Sequence, residues 1–316
     1  MAEKIAVIGA GISGLTAARG LVDAGHRVTI FEKSGGTGGR LSTRRTDFGS
    51  FDHGAQYVTA KSTLFQDHLE RWTNEGAVDQ WRPNGKTGAH KWYVGRPGMS
   101  SLVKPMTKGL EIRKRTRICE ISRHKDQIIC GDETGATESF TRVIVSIPSP
   151  QALDLLGAVD PVFNRLSEVT YLPCWTAMFA FQEPIESLPD YYRGEHNQSV
   201  SWFARNTSKP DRSGSETFLV QAGGNWSEDH LEDPKEDILL EMKKELEAKA
   251  GAPLTPDYSA IHRWRYALVT KALGQDYLAS SDARIFAIGD GLLGGRVEAA
   301  FESARGLLDH LKNEVL

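Results

Sequence analysis

Apolar and polar positions change period along this chain, and the changes mark its elements. Residues 5–8, Ile-Ala-Val-Ile, form an unbroken apolar run, as in a strand buried on both faces. Residues 13–24 read as a helix, Gly25 supplies its left-handed stop, and residues 27–31 form a second, β-branched strand ending in Glu32. Residues 63–75 read as an amphipathic helix through Leu64, Phe65, His68, Leu69 and Trp72. Residues 92–95 resume strand character, and Met99, Leu102, Val103 and Met106 predict a short helix after Pro97-Gly98. Residues 110–122, 127–130 and 142–147 read as strands, and so do 175–181, 199–204 and 217–222, with 206–216 a polar hairpin loop. Asp233 as N-cap, Pro234 at the first position and Glu236 three residues after the cap predict a helix with Ile238, Leu239, Met242 and Leu246 on its apolar face. Gly251 ends it. Strands at 261–267 and 284–290 then precede a last helix that opens near Gly294.

The first strand, turn and helix carry the main chemical signal. Gly9, Gly11 and Gly14 give G-x-G-x-x-G, with Ile12 and Ser13 opening the helix. Gly9 permits the tight turn, Gly11 lets the backbone approach a pyrophosphate, and Gly14 lets the helix pack on the strand. Free N–H groups and the helix dipole favour negative charge at that helix start. Glu32 lies about 20 residues on, where an acid accepts hydrogen bonds from an adenosine ribose. Glycine turns alone are common, but here the strand, helix, second strand and acid are all present. The acid also disfavours a ribose 2′-phosphate, so NADP is not expected at this site.

Composition narrows the class. The 316 residues are 40% hydrophobic and 25% charged, ordinary for a globular protein and long enough for two domains. A net charge of −3 gives no broad basic field, so no nucleic-acid partner is expected. Cys119, Cys130 and Cys174 are far apart without metal-ligand spacing, as expected for reduced thiols in the cytoplasm and no metal site. The chain enters its first strand at once and has no apolar stretch of about 20 residues, so neither a cleaved signal nor a membrane anchor is expected.

Lys33-Ser34-Gly35-Gly36-Thr37-Gly38-Gly39-Arg40 follows Glu32. The chain here resembles the FAD-dependent amine oxidase superfamily, in which the ribose-binding Glu precedes a glycine loop ending in G-G-R. The alternative reading of these residues is a flexible surface loop. A second segment, Asp52-His53-Gly54-Ala55-Gln56-Tyr57, resembles the D-x-G-A-Q-Y stretch of renalases, members of that superfamily, as does Arg263-Trp264-Arg265-Tyr266-Ala267. A third, Ile288-Gly289-Asp290 followed by Gly294-Gly295-Arg296-Val297-Glu298-Ala299-Ala300, is similar to the family's closing motif.

The resemblance implies non-covalent FAD, because tethered relatives use a C-terminal Cys and none follows Cys174. It implies that Gly9, Gly11, Ile12, Ser13, Gly14, Glu32, Lys33, Gly39, Arg40, Gln56, Tyr57, Ile118, Asp290, Arg296 and Val297 contact the cofactor. Ile118 would do so through its backbone, Asp290 at the ribityl or phosphate portion, and the N–H groups near Arg296 and Val297 at the flavin pyrimidine edge. Gln56, Tyr57, Trp264 and Tyr266 would line the flavin and substrate cavity. From the residues alone, the alternative reading of Tyr57 is a buried strand residue, Trp264 is equally well a core residue, and His53 in its loop is more simply structural. The cluster Arg113, Lys114, Arg115 and Arg117 reads as a solvated strand face.

The implied fold is α/β, a Rossmann-type FAD-binding domain of the p-hydroxybenzoate hydroxylase-like kind with an inserted α+β substrate domain. Residues 1–60, 96–160 and 262–316 would form the first domain, and 61–95 with 161–261 the second. The implied chemistry is hydride removal from a small-molecule substrate, with O₂ reduced to peroxide. The first expectation is a renalase-like oxidase of isomeric dihydronicotinamides, returning NAD(P)⁺. An amine oxidase comes second, with Lys271 as its candidate lysine though its motif does not match, and a desaturase or protoporphyrinogen-type oxidase third. A flavoprotein redox sensor without turnover is the alternative of a different class.

Overall fold

The computed structural model describes residues 2–313. The chain packs into two compact units, Met1–Gly39 with Val103–Thr170 and Val269–Leu316, and Arg40–Leu102 with Tyr171–Leu268.

The first unit is built on β1 (Lys4–Ile8) and β2 (Arg27–Glu32), joined by α1 (Ile12–Asp23). Its six-stranded sheet runs in the order Leu278–Ala279, Ile285–Ala287, Arg142–Val145, β1, β2, Glu111–Lys114. All neighbours are parallel except the first pair, which is antiparallel. A parallel sheet is covered on both faces, which is why Ile5, Ala6, Val7 and Ile8 are all buried. β1 pairs with β2 on one side and with the later strand Arg142–Val145 on the other. The strand order therefore switches direction at β1. Helix Val297–Asn313 packs on α1, where Gly20 leaves the space that Leu308 fills.

A three-stranded antiparallel sheet, Ile118–His124, Gln127–Asp132 and Thr137–Phe140, lies beside this core and shares its apolar cluster through Ile118, Ile121, Ile128 and Phe140. The single strand expected over 110–122 is in fact two strands in two sheets. Arg115 sits at φ 54°, and its N–H donates to Ser34 O while that of Thr116 donates to Glu32 O. The chain thus turns out of the parallel sheet there.

The second unit carries a five-stranded sheet in the order Tyr191–Arg193, Trp202–Arg205, Glu216–Gln221, Thr170–Phe181, Tyr258–Lys271. Helix Lys235–Ala250 covers one face through Ile238, Met242 and Leu246, packed in one cluster with Trp175, Phe179 and Phe218. Its start corrects the expected cap. Asp233 bonds His230 Nδ1 at 2.7 Å instead, and Pro234 takes the cap position without a side-chain hydrogen bond. Gly251 ends the helix at φ 72°, as its sequence position predicts.

Hairpin Arg44–Thr46/Gly49–Phe51 belongs to this second unit by packing. Phe51 is fully buried against Met178, Ala180 and Leu219, and Asn206 Nδ2 donates to Ser50 O. The boundaries drawn from sequence therefore differ from the packed units: residues 40–60, 96–102 and 262–268 lie in the second and 161–170 in the first. Among the described residues, no helix is long and apolar enough to cross a membrane.

A Cβ on Gly14 would lie 2.1 Å from Gly9 O and 2.4 Å from Ser146 Oγ. Gly14→Ala must then push α1 off β1, and overpacking of this kind costs about 1–3 kcal/mol. The expected outcome is a lower denaturant midpoint for the cofactor-free protein.

Candidate functional site

In the first unit, β1 ends where the backbone turns sharply. Gly9 adopts φ 103° and its N–H donates to Phe31 O, a conformation that favours glycine. Gly11 is the N-cap of α1 and has open space where a Cβ would stand. No side chain caps this helix and its first turn contains no acid, so its N–H groups at Ile12, Ser13 and Gly14 have no side-chain partner of that kind. Ser13 Oγ is buried without a hydrogen-bond partner. Gly38 N–H donates to Ala10 O, and Gly39 at φ 55° would bring a Cβ within 3.6 Å of Gly11 Cα. The glycine loop thus lies along the turn.

Glu32 closes the cradle. Its Oε2 accepts from Ala10 N at 2.9 Å, and Oε1 accepts from Ser34 N and Ser34 Oγ, each at 2.7 Å. Those bonds fix the carboxylate and leave Oε2 lone-pair capacity for a ribose hydroxyl. The bare helix start, the orphaned Ser13 hydroxyl and the fixed acid together fit a dinucleotide with its pyrophosphate at α1. The position also matches the rule that ligands bind beyond the carboxyl ends of strands at a switch point.

The remaining residues of this unit are placed less uniformly. Lys33 is exposed and its Nζ donates to Gln151 Oε1 at 3.3 Å. Ile118 begins its strand with its side chain buried in the core. Asp290 is buried at the start of the short helix Asp290–Leu293, where Oδ1 accepts from Gly291 N. Arg296 ion-pairs with the buried Glu298 at 2.9 Å, and its own N–H is spent on Gly294 O. Val297 opens the last helix. Arg113, in the basic cluster, pairs with Glu111 and Glu138 on the strand surface.

The second unit brings Arg40, the 52–57 segment and the strand of Trp264 together. Gly54 packs so closely under Arg40 O that a Cβ would lie 2.0 Å from it, and Ala55 N–H donates to the same oxygen. Arg40 Nη1 donates to Ala267 O at 3.2 Å and to Tyr266 O at 3.4 Å. Trp264 Nε1 donates to His53 O at 2.7 Å, and its ring stacks on the His53 imidazole. Tyr266 meets Tyr171 edge-on. His53 is therefore not a lone loop histidine. His262 stands 5.2 Å from it, and burial, then His262 and Arg44, push its pKa down to about 4. It is neutral at neutral pH.

A buried charge network fixes the 52–57 segment. Asp52 Oδ2 accepts from Arg212 Nη2 at 2.6 Å and Lys209 Nζ at 3.2 Å, while Oδ1 accepts from Met99 N and Thr43 Oγ1 at 2.8 Å each. All three charged side chains are essentially without solvent exposure. Gln56 is absorbed into the same network: Nε2 donates to Asp52 O and Gly54 O, and Oε1 accepts from Lys209. Tyr57 stacks on Trp92 and its hydroxyl accepts from Arg193 at 2.6 Å.

Lys209 and Arg212 fall in the expected polar hairpin loop, which does join two antiparallel strands, but the structure buries both side chains. The one signal for them was Asp52 itself, since a carboxylate in a buried segment needs cations. Removing one partner of such a pair typically costs about 3–5 kcal/mol.

Burial raises the Asp52 pKa, but Lys209 and Arg212 outweigh it and hold the carboxyl at about 2. Burial pulls Lys209 from 10.5 to about 8 against the attraction of Asp52. Between those two values the folded chain binds fewer protons at Lys209 than the unfolded chain, so stability rises with pH across that window. Denaturant titrations of wild type and Lys209→Met should show wild type gaining on the variant from pH 8 to 10.5. A constant difference would contradict this assignment.

Comparison with known proteins agrees with this geometry. A sequence profile for an NAD(P)-binding Rossmann-like domain matches residues 7–72, and one for flavin containing amine oxidoreductases matches residues 61–306. Renalase of Mus musculus is 23% identical over 298 residues, 86% of this chain and 86% of that protein. A 4,4′-diapophytoene desaturase (4,4′-diaponeurosporene-forming) of Staphylococcus aureus strain Newman is 42% identical over 77 residues, but these make up 21% of this chain and 15% of the desaturase. A crystal structure described as that of a 'putative protoporphyrinogen oxidase' from Exiguobacterium sp. 255-15 shares the fold with a TM-score of 0.79 at 14% identity over 99% of both chains. Because the amine oxidoreductase profile spans most of the sequence, the chain belongs to the flavin containing amine oxidoreductase family and is an FAD-dependent oxidoreductase.

Proposed function

We propose that this protein is a renalase-like oxidase that takes a hydride from isomeric dihydro forms of NAD(P), returns the aromatic NAD(P)⁺ and passes the electrons to O₂. The observation that carries this reading is the near end-to-end match to mouse renalase, over 86% of both chains. In this reading the first unit is the FAD-binding part and the second the substrate part.

Bound FAD supplies the hydride acceptor and then the two electrons that, with two protons, turn O₂ into H₂O₂. The chain binds and orients. The first turn of α1 would donate N–H groups to the pyrophosphate, and Glu32 Oε2 would accept a hydrogen bond from a ribose hydroxyl. Asp290, the Arg296 side chain and the backbone N–H of Val297 are assigned to the far part of the cofactor, with Arg40 and the 54–57 backbone as further contacts. Trp264 and Tyr266 are assigned as an aromatic wall for substrate.

The chemistry of the second unit supports a substrate that needs no protein base. A dihydropyridine becomes an aromatic cation on losing hydride, with no proton to remove. Asp52 and Lys209 neutralise each other, and the His53 imidazole has a pKa of about 4, too low for an effective base near neutrality. Lys271, the candidate lysine of an amine oxidase, is exposed at the end of its strand. The reading includes a reducing, cytoplasmic setting, supported by three unbridged cysteines.

Oxygen uptake by the FAD-loaded enzyme tests the proposal. Borohydride-reduced NAD⁺, which contains the minor isomers, should drive uptake with NAD⁺ as product, while ordinary NADH and a panel of primary and secondary amines should not. Uptake with amines alone would move the protein to the amine oxidases. Trp264→Ala should retain its flavin and lower turnover, whereas Asp290→Ala should lose flavin on dialysis.

A further inference from the structure

The second unit contains an aromatic cluster outside the Asp52 network. Tyr57 and Trp92 stack with ring centroids 4.2 Å apart, and Trp202 lies 5.8 Å from Tyr57 and 5.6 Å from Tyr191. Trp92 and Trp202 are buried, while Tyr57 and Tyr191 are half-buried, so aromatic surface reaches the rim of the cluster. Two cations lie over these rings: the Arg193 guanidinium 5.3 Å from the centre of Trp202, and Lys86 Nζ 5.2 Å from that of Trp92.

Arg193 is held but not neutralised. Its Nη2 donates to Tyr57 Oη, its guanidinium lies over an indole ring, and its side chain is exposed. Among the described residues it makes no ion pair with a carboxylate. A guanidinium has five N–H groups, so one bond to Tyr57 leaves a fork of donors free for an anion. Trp202 adds a second observation. The residue is more than nine-tenths buried, and its Nε1 has no hydrogen-bond partner. An orphaned buried N–H is costly unless something occupies it.

We propose that this cluster docks the phosphate-bearing nucleotide portion of the substrate, with Arg193 as the residue that recognises its pyrophosphate. The half-buried rings of Tyr57 and Tyr191 suit the edge or face of a flat heterocycle, and the free guanidinium fork suits phosphate oxygens bidentately. The same cations disfavour a protonated amine, so the site selects a dinucleotide over an amine by charge. The inference rests on the dinucleotide oxidase reading for its choice of substrate class.

The test titrates FAD-loaded enzyme with ADP-ribose, which carries the pyrophosphate but no nicotinamide, and reads tryptophan fluorescence. Wild type should bind with quenching, and Arg193→Met should weaken binding at least about tenfold. Arg193→Lys, which keeps the charge but loses the planar fork, should weaken it less. Added salt should weaken the wild-type complex more than that of Arg193→Met. No binding to wild type, or equal affinity in wild type and Arg193→Met, overturns the proposal. The two readings fail separately. Arg193-dependent ADP-ribose binding without oxidation of any dihydronicotinamide isomer removes the oxidase reading and keeps the anion site. Isomer oxidation with ADP-ribose binding indifferent to Arg193 does the reverse.

Discussion

The closest backbone approach in the first unit is the one on which its other features depend. Between Gly14 and Gly9 O there is room for a hydrogen atom but not for a methyl group. That approach seats α1 directly against the end of β1 and aims the helix start at the place where the strand order of the parallel sheet reverses. Everything that makes the cradle suitable for a dinucleotide follows from it. The uncapped N–H groups converge on one spot, and the orphaned Ser13 hydroxyl sits in the same turn. The acid at the end of β2 comes close enough to accept from Ala10 N. A helix start of this kind attracts anions through both its free donors and its dipole, with the dipole alone contributing about 0.3–1 kcal/mol.

The second unit solves a different problem. Asp52 lies in a segment that packs its backbone against Arg40 O, and its carboxylate has no access to water. Two buried cations answer it, and the polar groups of Thr43, Met99 and Gln56 are drawn into the same network. The result is a rigid 52–57 segment whose side chains are committed before any ligand arrives. Gln56 spends both ends of its amide on protein, Trp264 is held by the His53 carbonyl, and Tyr57 is fixed between Trp92 and Arg193. Such preorganisation is what a flavoprotein needs from its polypeptide, since the cofactor carries the electron chemistry and the protein supplies orientation.

The sequence showed the first unit well because its constraints are local. Gly9, Gly11, Gly14 and Glu32 lie within one strand-helix-strand unit, and their spacing implies their geometry. Gly251 was legible as a helix stop for the same reason. The second unit was harder to read. Lys209 and Arg212 sit in a stretch rich in Ser, Pro, Asp and Gly, which has the composition of an exposed turn. Their burial depends on tertiary contacts, foremost with Asp52, more than 150 positions earlier. Likewise the break at Arg115 depends on hydrogen bonds to residues 32 and 34, and the cap expected at Asp233 lost to a contact with His230. Hydrophobic pattern predicts which residues are buried, but it cannot predict which buried charge meets which.

Anaerobic rapid mixing tests the central claim most directly. The FAD-loaded enzyme would be mixed with each purified dihydro-NAD isomer, and loss of the flavin's visible absorbance followed in time. The account predicts fast, stoichiometric bleaching by a minor isomer and none by ordinary NADH. Bleaching by amines but by no dihydronicotinamide isomer would contradict it.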